Sequence, residues 1–495
     1  MQRLGSEALA QIDPQVRRPR YDRRALEIGM AHIGVGAFHR CHQAEYTDDM
    51  LEAAFGCWGV VGVNLKPPRL TNSLGAQDGL FSRTLKRGHE SETRVIGCLK
   101  RVIDLDDDAN AETAISALAA PAIGTITMTL TEKGYCHIPA TGALDRSNAD
   151  LAHDLTAPAQ PRTALGLLLA VFERRRQDCA GPVTVISCDN LPSNGRILER
   201  VLMEFARSRS AATRSWIADN VAFVSTMVDR IVPATTTEDI EAVSRRLGAR
   251  DLCPVVGEPF RQWVIEDRFA GARPPWNLAG AQFVPNVEPY ENIKMRVLNA
   301  AQSTLSHLGP FLSYDFSHQA AANPVLAGLV RRMLEEETAP TLPDVEGMAV
   351  GPYIESAFER IGNTATQHRC HQIGTDGSQK IVQRILRPLQ QCLSNGQPAP
   401  FLTLAAASWI AYVLAGSARF GRRWAPSDPF AARVISLADT PGGDMTLLAR
   451  QVLGIEQIFG AGWPSNRVDT DVARHLAGLL SPEPMQYLAA VLAGQ

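Results

Sequence analysis

The run Tyr290-Glu291-Asn292-Ile293-Lys294-Met295-Arg296-Val297-Leu298-Asn299-Ala300-Ala301-Gln302 places Lys294 and Asn299 one or two turns apart on a predicted helix. A buried ammonium group loses solvation and its pKa falls, so near neutral pH a lysine here could accept the proton of a hydroxyl group. Neighbouring amides could then hold the oxygen that becomes a carbonyl. Gln302 is three residues past Asn299 and is expected on the same helical face. Its amide can donate to an oxyanion, but it cannot carry positive charge or exchange a proton as an imidazole can. His307 is offset by five residues from Gln302 and would point about 140° away. The same residue types also populate solvated helix faces, so the elements around them decide the reading.

A second constellation lies near the start of the chain. Residues 26–33 are mostly apolar and end in Gly34-Val35-Gly36, which reads as a buried strand entering a glycine turn. A helix over 40–55 and a second buried strand over 58–65 complete a βαβ unit. Gly34 and Gly36 would let the backbone turn tightly and approach a pyrophosphate at the opening of the next helix, although His39 stands at the third glycine position of the usual fingerprint. Arg40 could pair with a phosphate or lie on the helix surface. After Leu65 comes Lys66-Pro67-Pro68-Arg69, with no acid where an NAD site usually has one. Lys66 and Arg69 could take a 2′-phosphate, which keeps NADP open beside NAD, or simply solvate the loop.

Short apolar strands are expected at 125–130, 183–187 and 221–227, with helices at 163–176 and 195–208, an alternation that implies a mostly parallel, doubly wound sheet. From about Pro289 the pattern changes to helices at 294–308, 324–337, 352–361, 380–393, 401–415 and 473–480. The fold class expected is an α/β Rossmann-like N-terminal domain over 1–285 followed by an all-helical domain, carrying substrate and catalytic residues, over 286–495. At 495 residues the chain exceeds what one hydrophobic core sustains, which agrees with two domains.

A formal charge of -3 offers no field for a polyanion, so the expected partners are small molecules rather than nucleic acid. No apolar run approaches a membrane span, and 401–415 reads as a buried helix. Nine scattered cysteines, with no apolar signal core at the start, suggest reduced thiols in the cytoplasm. Cys41-His42, Cys136-His137 and His368-Arg369-Cys370-His371 lack the spacing of a metal site. Cys188 beside Asp189 shows no adjacent base for a nucleophile.

Gly34-Val35-Gly36-Ala37-Phe38-His39-Arg40-Cys41-His42-Gln43-Ala44 resembles the GxGxFxRxHxA segment of the mannitol dehydrogenase family, the long-chain polyol-specific dehydrogenases. The run from Lys294 resembles the family's KxxxxNxxH signature and departs from it at Gln302, where that pattern has histidine. Further resemblance lies in Thr131-Glu132-Lys133-Gly134-Tyr135, in the segment Ser187-Cys188-Asp189-Asn190-Leu191-Pro192-Ser193-Asn194-Gly195, in Met227-Val228-Asp229-Arg230-Ile231 and in Asp376-Gly377-Ser378-Gln379-Lys380.

The resemblance implies an NAD(P)-dependent enzyme interconverting a secondary hydroxyl of a sugar alcohol and the corresponding ketose. Mannitol and fructose are the leading pair, with mannonate/fructuronate or altronate/tagaturonate as the sugar-acid alternative. It implies Lys294 as general base, Asn190 and Asn299 as donors to the reacting oxygen, and Asp229 and Lys380 on other substrate oxygens. It places the cofactor on Gly34, Gly36, Ala37, Phe38 and Arg40, requires no metal, and suggests a monomer. Gln302 leaves open a member that binds nucleotide with impaired turnover.

Overall fold

Residues 29–33 of strand β1 (Ile28–Ile33) are all buried, which is why this strand reads as a mostly apolar run. Met30 packs into a core with Val60, Val102, Ile186 and Val224, while Ala31 and Ile33 face a separate core with Val61, Val63, Ile103 and Ile126. Both faces of the sheet are therefore covered. The computed structural model describes residues 1–105, 108–138, 142–438 and 444–494, which divide into two units, Met1–Glu288 and Pro289–Gln495.

In the first unit, β1 is followed by β2 (Gly59–Asn64), β3 (Phe81–Arg87), β4 (Glu90–Ile96), β5 (Leu99–Asp104), β6 (Thr125–Met128), β7 (Val183–Ser187) and β8 (Val221–Val224). Then come β9 (Thr226–Asp229), β10 (Val255–Gly257), β11 (Gln262–Glu266) and β12 (Gln282–Val284). The main sheet has the order β5-β2-β1-β6-β7-β8 and all its pairs are parallel. Numbered among themselves, its strands run 3-2-1-4-5-6, the Rossmann order, and the direction of winding reverses between β1 and β6. Ligands bind at the carboxyl ends of strands beside such a switch point.

Two small sheets flank it, β10-β3-β4 and β12-β11-β9. They correct the expected strand at 221–227. That segment breaks at Ser225, so that β8 closes the main sheet while β9 turns away and pairs antiparallel with β11. The expected helix at 40–55 is also divided, into Ala37–Cys41 and Gln43–Ala53, with His42 at φ -123 and ψ -84 between them.

The second unit is helical among its described residues, apart from an isolated bridge between Phe316 and Arg369. Its most buried element is the helix Pro400–Leu414, with every residue from Phe401 to Leu414 inside. Among the described residues three π-helical segments interrupt the others, at Met295–Asn299, Met333–Thr338 and Val382–Leu386. No described helix is long and apolar enough to cross a membrane.

Candidate active site

A cavity of about 400 Å³ opens at the carboxyl ends of β1, β2 and β6. Gly34, Val35, Gly36, Ala37 and Arg40 line one side, and Asn64 to Pro68, Thr129 to Thr131, Lys133 and Arg162 line others. Gly34 has φ +92, and a Cβ there would lie 2.0 Å from the Thr129 carbonyl oxygen, so only glycine fits. At Gly36 an added Cβ would find nothing nearer than the Gly34 oxygen at 3.9 Å, which leaves room above the turn for a ligand.

The turn is fixed from below by His32, a residue that the sequence reading passed over. One ring nitrogen contacts Thr127 Oγ1 at 2.7 Å, and the other lies 2.9 Å from Thr129 Oγ1 and 3.1 Å from the Gly34 oxygen. A histidine inside an otherwise apolar strand was the signal that could have revealed it. The His39 ring stacks on it at 3.4 Å between centroids. His39 thus puts an imidazole against the strand at the third glycine position, on a first helix only five residues long. Burial pushes His32 down to about 3 and His39 well below the ordinary histidine range. Both rings are neutral packing groups.

Arg40 lines the cavity, but its Nη1 donates to the Cys253 carbonyl and its guanidinium lies 5.7 Å from the Phe81 ring centroid. Phe38 does not reach the cavity lining; its ring stacks on His42 at 5.1 Å and packs against the core. At the end of β7, Asn190 is exposed, whereas the adjacent Asp189 is buried and accepts from Leu130 N at 2.9 Å and Tyr135 Oη at 2.6 Å. Tyr135 and Asp189 thus tie the Thr131 to Tyr135 segment to the Ser187 to Gly195 segment. The Glu132 side chain lies outside the described residues. Asn194 donates through Nδ2 to Asp189 O and to Thr226 O, both at 2.8 Å, and so joins the segment after β7 to the start of β9. Asp229 is buried at the end of β9, opposite Gln262.

The Arg230 guanidinium donates to Cys41 O and Glu45, and Glu45 also accepts from Arg83 at 2.8 Å. Although burial acts against it, these guanidinium groups hold Glu45 down at about 2. The pair Asp229-Arg230 therefore has a buried, charge-paired foundation.

In the second unit, Lys294 and Asn299 are both buried, with Lys294 closing the helix Glu288–Lys294 and Asn299 closing the π segment. Ala300 N–H donates to Met295 O, an i→i−5 bond that widens the turn. Asn299 Nδ2 lies 3.0 Å from Met295 Sδ, a weak acceptor. Gln302 is half-buried on the following helix, Ala300–Leu308.

Arg384 was not singled out in the sequence, yet its Nη1 reaches Ser303 Oγ at 2.9 Å and Asn299 O at 3.4 Å. Lys380 is half-buried and donates to Thr375 O at 2.6 Å and Ile373 O at 3.3 Å. His307 is buried, with Nε2 3.4 Å from the position a Cβ would take on Gly377. Burial, helped by the positive charges of Lys380 and Arg384, pushes it down to about 3. It is a neutral ring at working pH. Among the described residues no three His, Cys, Asp or Glu side chains gather as metal ligands would.

Strand order, glycine turn and cavity define a Rossmann-type dinucleotide-binding unit joined in one chain to a helical unit. The mannitol dehydrogenase Rossmann domain matches residues 28–278, and the mannitol dehydrogenase C-terminal domain matches residues 286–474. The chain belongs to the mannitol dehydrogenase family. It is 37% identical over 455 residues to the D-mannonate oxidoreductase of Escherichia coli (strain K12), covering 91% of this chain and 93% of that one. It is also 37% identical over 465 residues to a mannitol 2-dehydrogenase of Phaeosphaeria nodorum, covering 92% and 80%. A solved structure of Pseudomonas fluorescens mannitol 2-dehydrogenase, in ternary complex with NAD and D-mannitol, superposes with a TM-score of 0.86 at 31% identity over 99% of each chain.

Proposed function

We infer that this protein is an NAD(P)-dependent oxidoreductase that interconverts a secondary hydroxyl of a sugar alcohol and the corresponding ketose, of the mannitol/fructose type. The observation that carries this reading is the π turn, which sets a buried lysine and a buried asparagine about one turn apart in a chain of this family. The fit of the cofactor rests on the open space over Gly36 and on the turn that His32 braces. Gly34, Gly36 and Ala37 would hold its phosphates, and when bound the nicotinamide dinucleotide supplies the hydride acceptor or donor.

Lys294 takes the hydroxyl proton in the oxidative direction and returns it in the reductive one. The Asn299 amide donates to the oxygen as negative charge grows on it. Its weak thioether partner leaves that amide inexpensive to redirect toward a substrate oxygen. Asn190 is assigned the second amide donor, and Asp229 and Lys380 the other substrate oxygens, on the family pattern. Nine free thiols, six of them buried, agree with a reducing cytoplasmic setting.

A sugar-acid oxidoreductase of the mannonate/fructuronate or altronate/tagaturonate type is the second reading. Arg384 favours it as a guanidinium beside Asn299 and Ser303, a group suited to a carboxylate. Gln302 supports a third, a family member that binds nucleotide but turns over poorly. The test is NADH and NADPH consumption with fructose, fructuronate and tagaturonate. Turnover of fructose establishes the first reading, turnover confined to the uronates establishes the second, and cofactor binding without turnover establishes the third.

A further inference from the structure

Within the reading of the first-unit cavity as a dinucleotide site, we propose that its adenosine end accepts the 2′-phosphate of NADP(H), with Lys66 as the specificity-determining side chain. In a Rossmann sheet the carboxyl end of the second strand meets the adenine ribose, where a carboxylate selects the 2′-hydroxyl and a cation accommodates a 2′-phosphate. Here β2 ends in Asn64, and Leu65, Lys66, Pro67 and Pro68 continue along the cavity wall.

The Asn64 amide is occupied. Its Nδ2 donates to Lys66 O at 2.9 Å, Pro68 O at 3.0 Å and Asp104 Oδ1 at 2.9 Å, which holds the loop carrying Lys66 in a fixed course. Asp104, at the end of the neighbouring β5, is the acid placed closest by topology to select a ribose hydroxyl. Its oxygens already accept from Leu70 N and Thr71 N, both at 2.9 Å, and from Thr71 Oγ1 at 2.6 Å. Against its burial, these bonds hold the carboxyl below its ordinary range. It is an anchor of the loop.

The charge of the wall points the same way. Among the described residues, Lys66, Lys133 and Arg162 line the cavity besides Arg40, against one acid, Asp150. Asp150 is exposed in the first turn of the helix Ala149–Thr156. A 2′-phosphate adds about -1.5 to -2 charges near neutral pH, which a cationic wall accommodates better than an acidic one.

Binding to the purified full-length chain tests the proposal without turnover, by calorimetric titration with NAD+, NADP+, 5′-AMP and adenosine 2′,5′-bisphosphate. The expected result is NADP+ bound at least as tightly as NAD+, and the bisphosphate at least about tenfold more tightly than 5′-AMP. Lys66→Glu should weaken NADP+ about tenfold or more and NAD+ less than about threefold, and Lys66→Met should fall between. Lys66 is exposed, so these variants should keep the parent's melting temperature. NAD+ bound tenfold more tightly than NADP+, or an unchanged NADP+ affinity in Lys66→Glu, overturns the proposal while leaving the dinucleotide site intact. Failure of all four nucleotides to bind overturns the dinucleotide reading together with it.

Discussion

Lys294 precedes and Asn299 ends a π-helical turn, and Ala300 N–H closes that turn on Met295 O five residues back. On an uninterrupted α-helix, residues five apart diverge by about 140°. An i→i−5 turn holds more residues than the 3.6 of an α-helical turn, so the amide of Asn299 comes round toward the side of the helix that carries Lys294. The chemistry proposed for this pair depends on the irregularity.

Asn299→Ala should therefore lower kcat about 10²- to 10³-fold, the cost of removing one preorganised donor from a developing oxyanion. Cofactor affinity should stay within about twofold. Steady-state kinetics with a parallel cofactor titration checks this; a loss confined to KM would assign Asn299 to uniform substrate binding.

Arg384 anchors the same turn through Asn299 O and Ser303 Oγ. Arg384→Gln should reduce kcat by about 10- to 100-fold, because small displacements of a donor are costly in rate. Comparing fructose with fructuronate separates two roles. An equal loss on both marks a positioning residue, whereas a loss confined to the uronate marks a carboxylate partner.

Gln302→His restores an ionisable group one turn beyond Asn299. The pH profile of kcat should gain an ionisation near the ordinary imidazole value of about 6.5. Superimposable profiles for the two forms would show that position 302 does not take part in proton movement.

Stability should depend on pH in opposite senses at two buried histidines and one buried glutamate. His32 and His307 are each held at about 3 by burial, so between about 3 and 6.5 the unfolded chain binds more protons. Their contribution is complete above about 6.5 and is lost as pH falls, with a slope of up to about 1.4 kcal/mol per pH unit for each ring. Burial pushes Glu337 up to about 7 even though Phe401 N and Leu402 N both donate to it. The folded state therefore binds the extra proton, and this contribution is present below about 4.5 and lost as pH rises through 7. Melting temperatures from pH 5 to 8 should show Glu337→Gln gaining on the parent as pH rises. A constant difference would contradict that assignment.

The sheet was readable because a parallel strand buried on both faces leaves an apolar run, and the glycine turn because Gly34 needs a positive φ. The β3–β4 hairpin was hidden by its charges: Arg83 and Arg94 look solvent-facing in sequence but are buried against Glu45 and Asp48. The π turns left no trace, since one residue added to a helical turn barely disturbs the apolar spacing. Nothing local distinguishes Arg384 either, because its bonds to Asn299 O and Ser303 Oγ reach more than 80 residues along the chain. The motif residues were legible as types, whereas the bonds that hold them depend on tertiary contacts.

The most direct test of the account is turnover by Lys294→Ala, measured with a cofactor titration and with added small primary amines. Hydride transfer should fall by about 10²- to 10⁴-fold, with cofactor affinity nearly unchanged and partial rescue by the amine. Turnover equal to the parent's would contradict the assignment of Lys294 as the base.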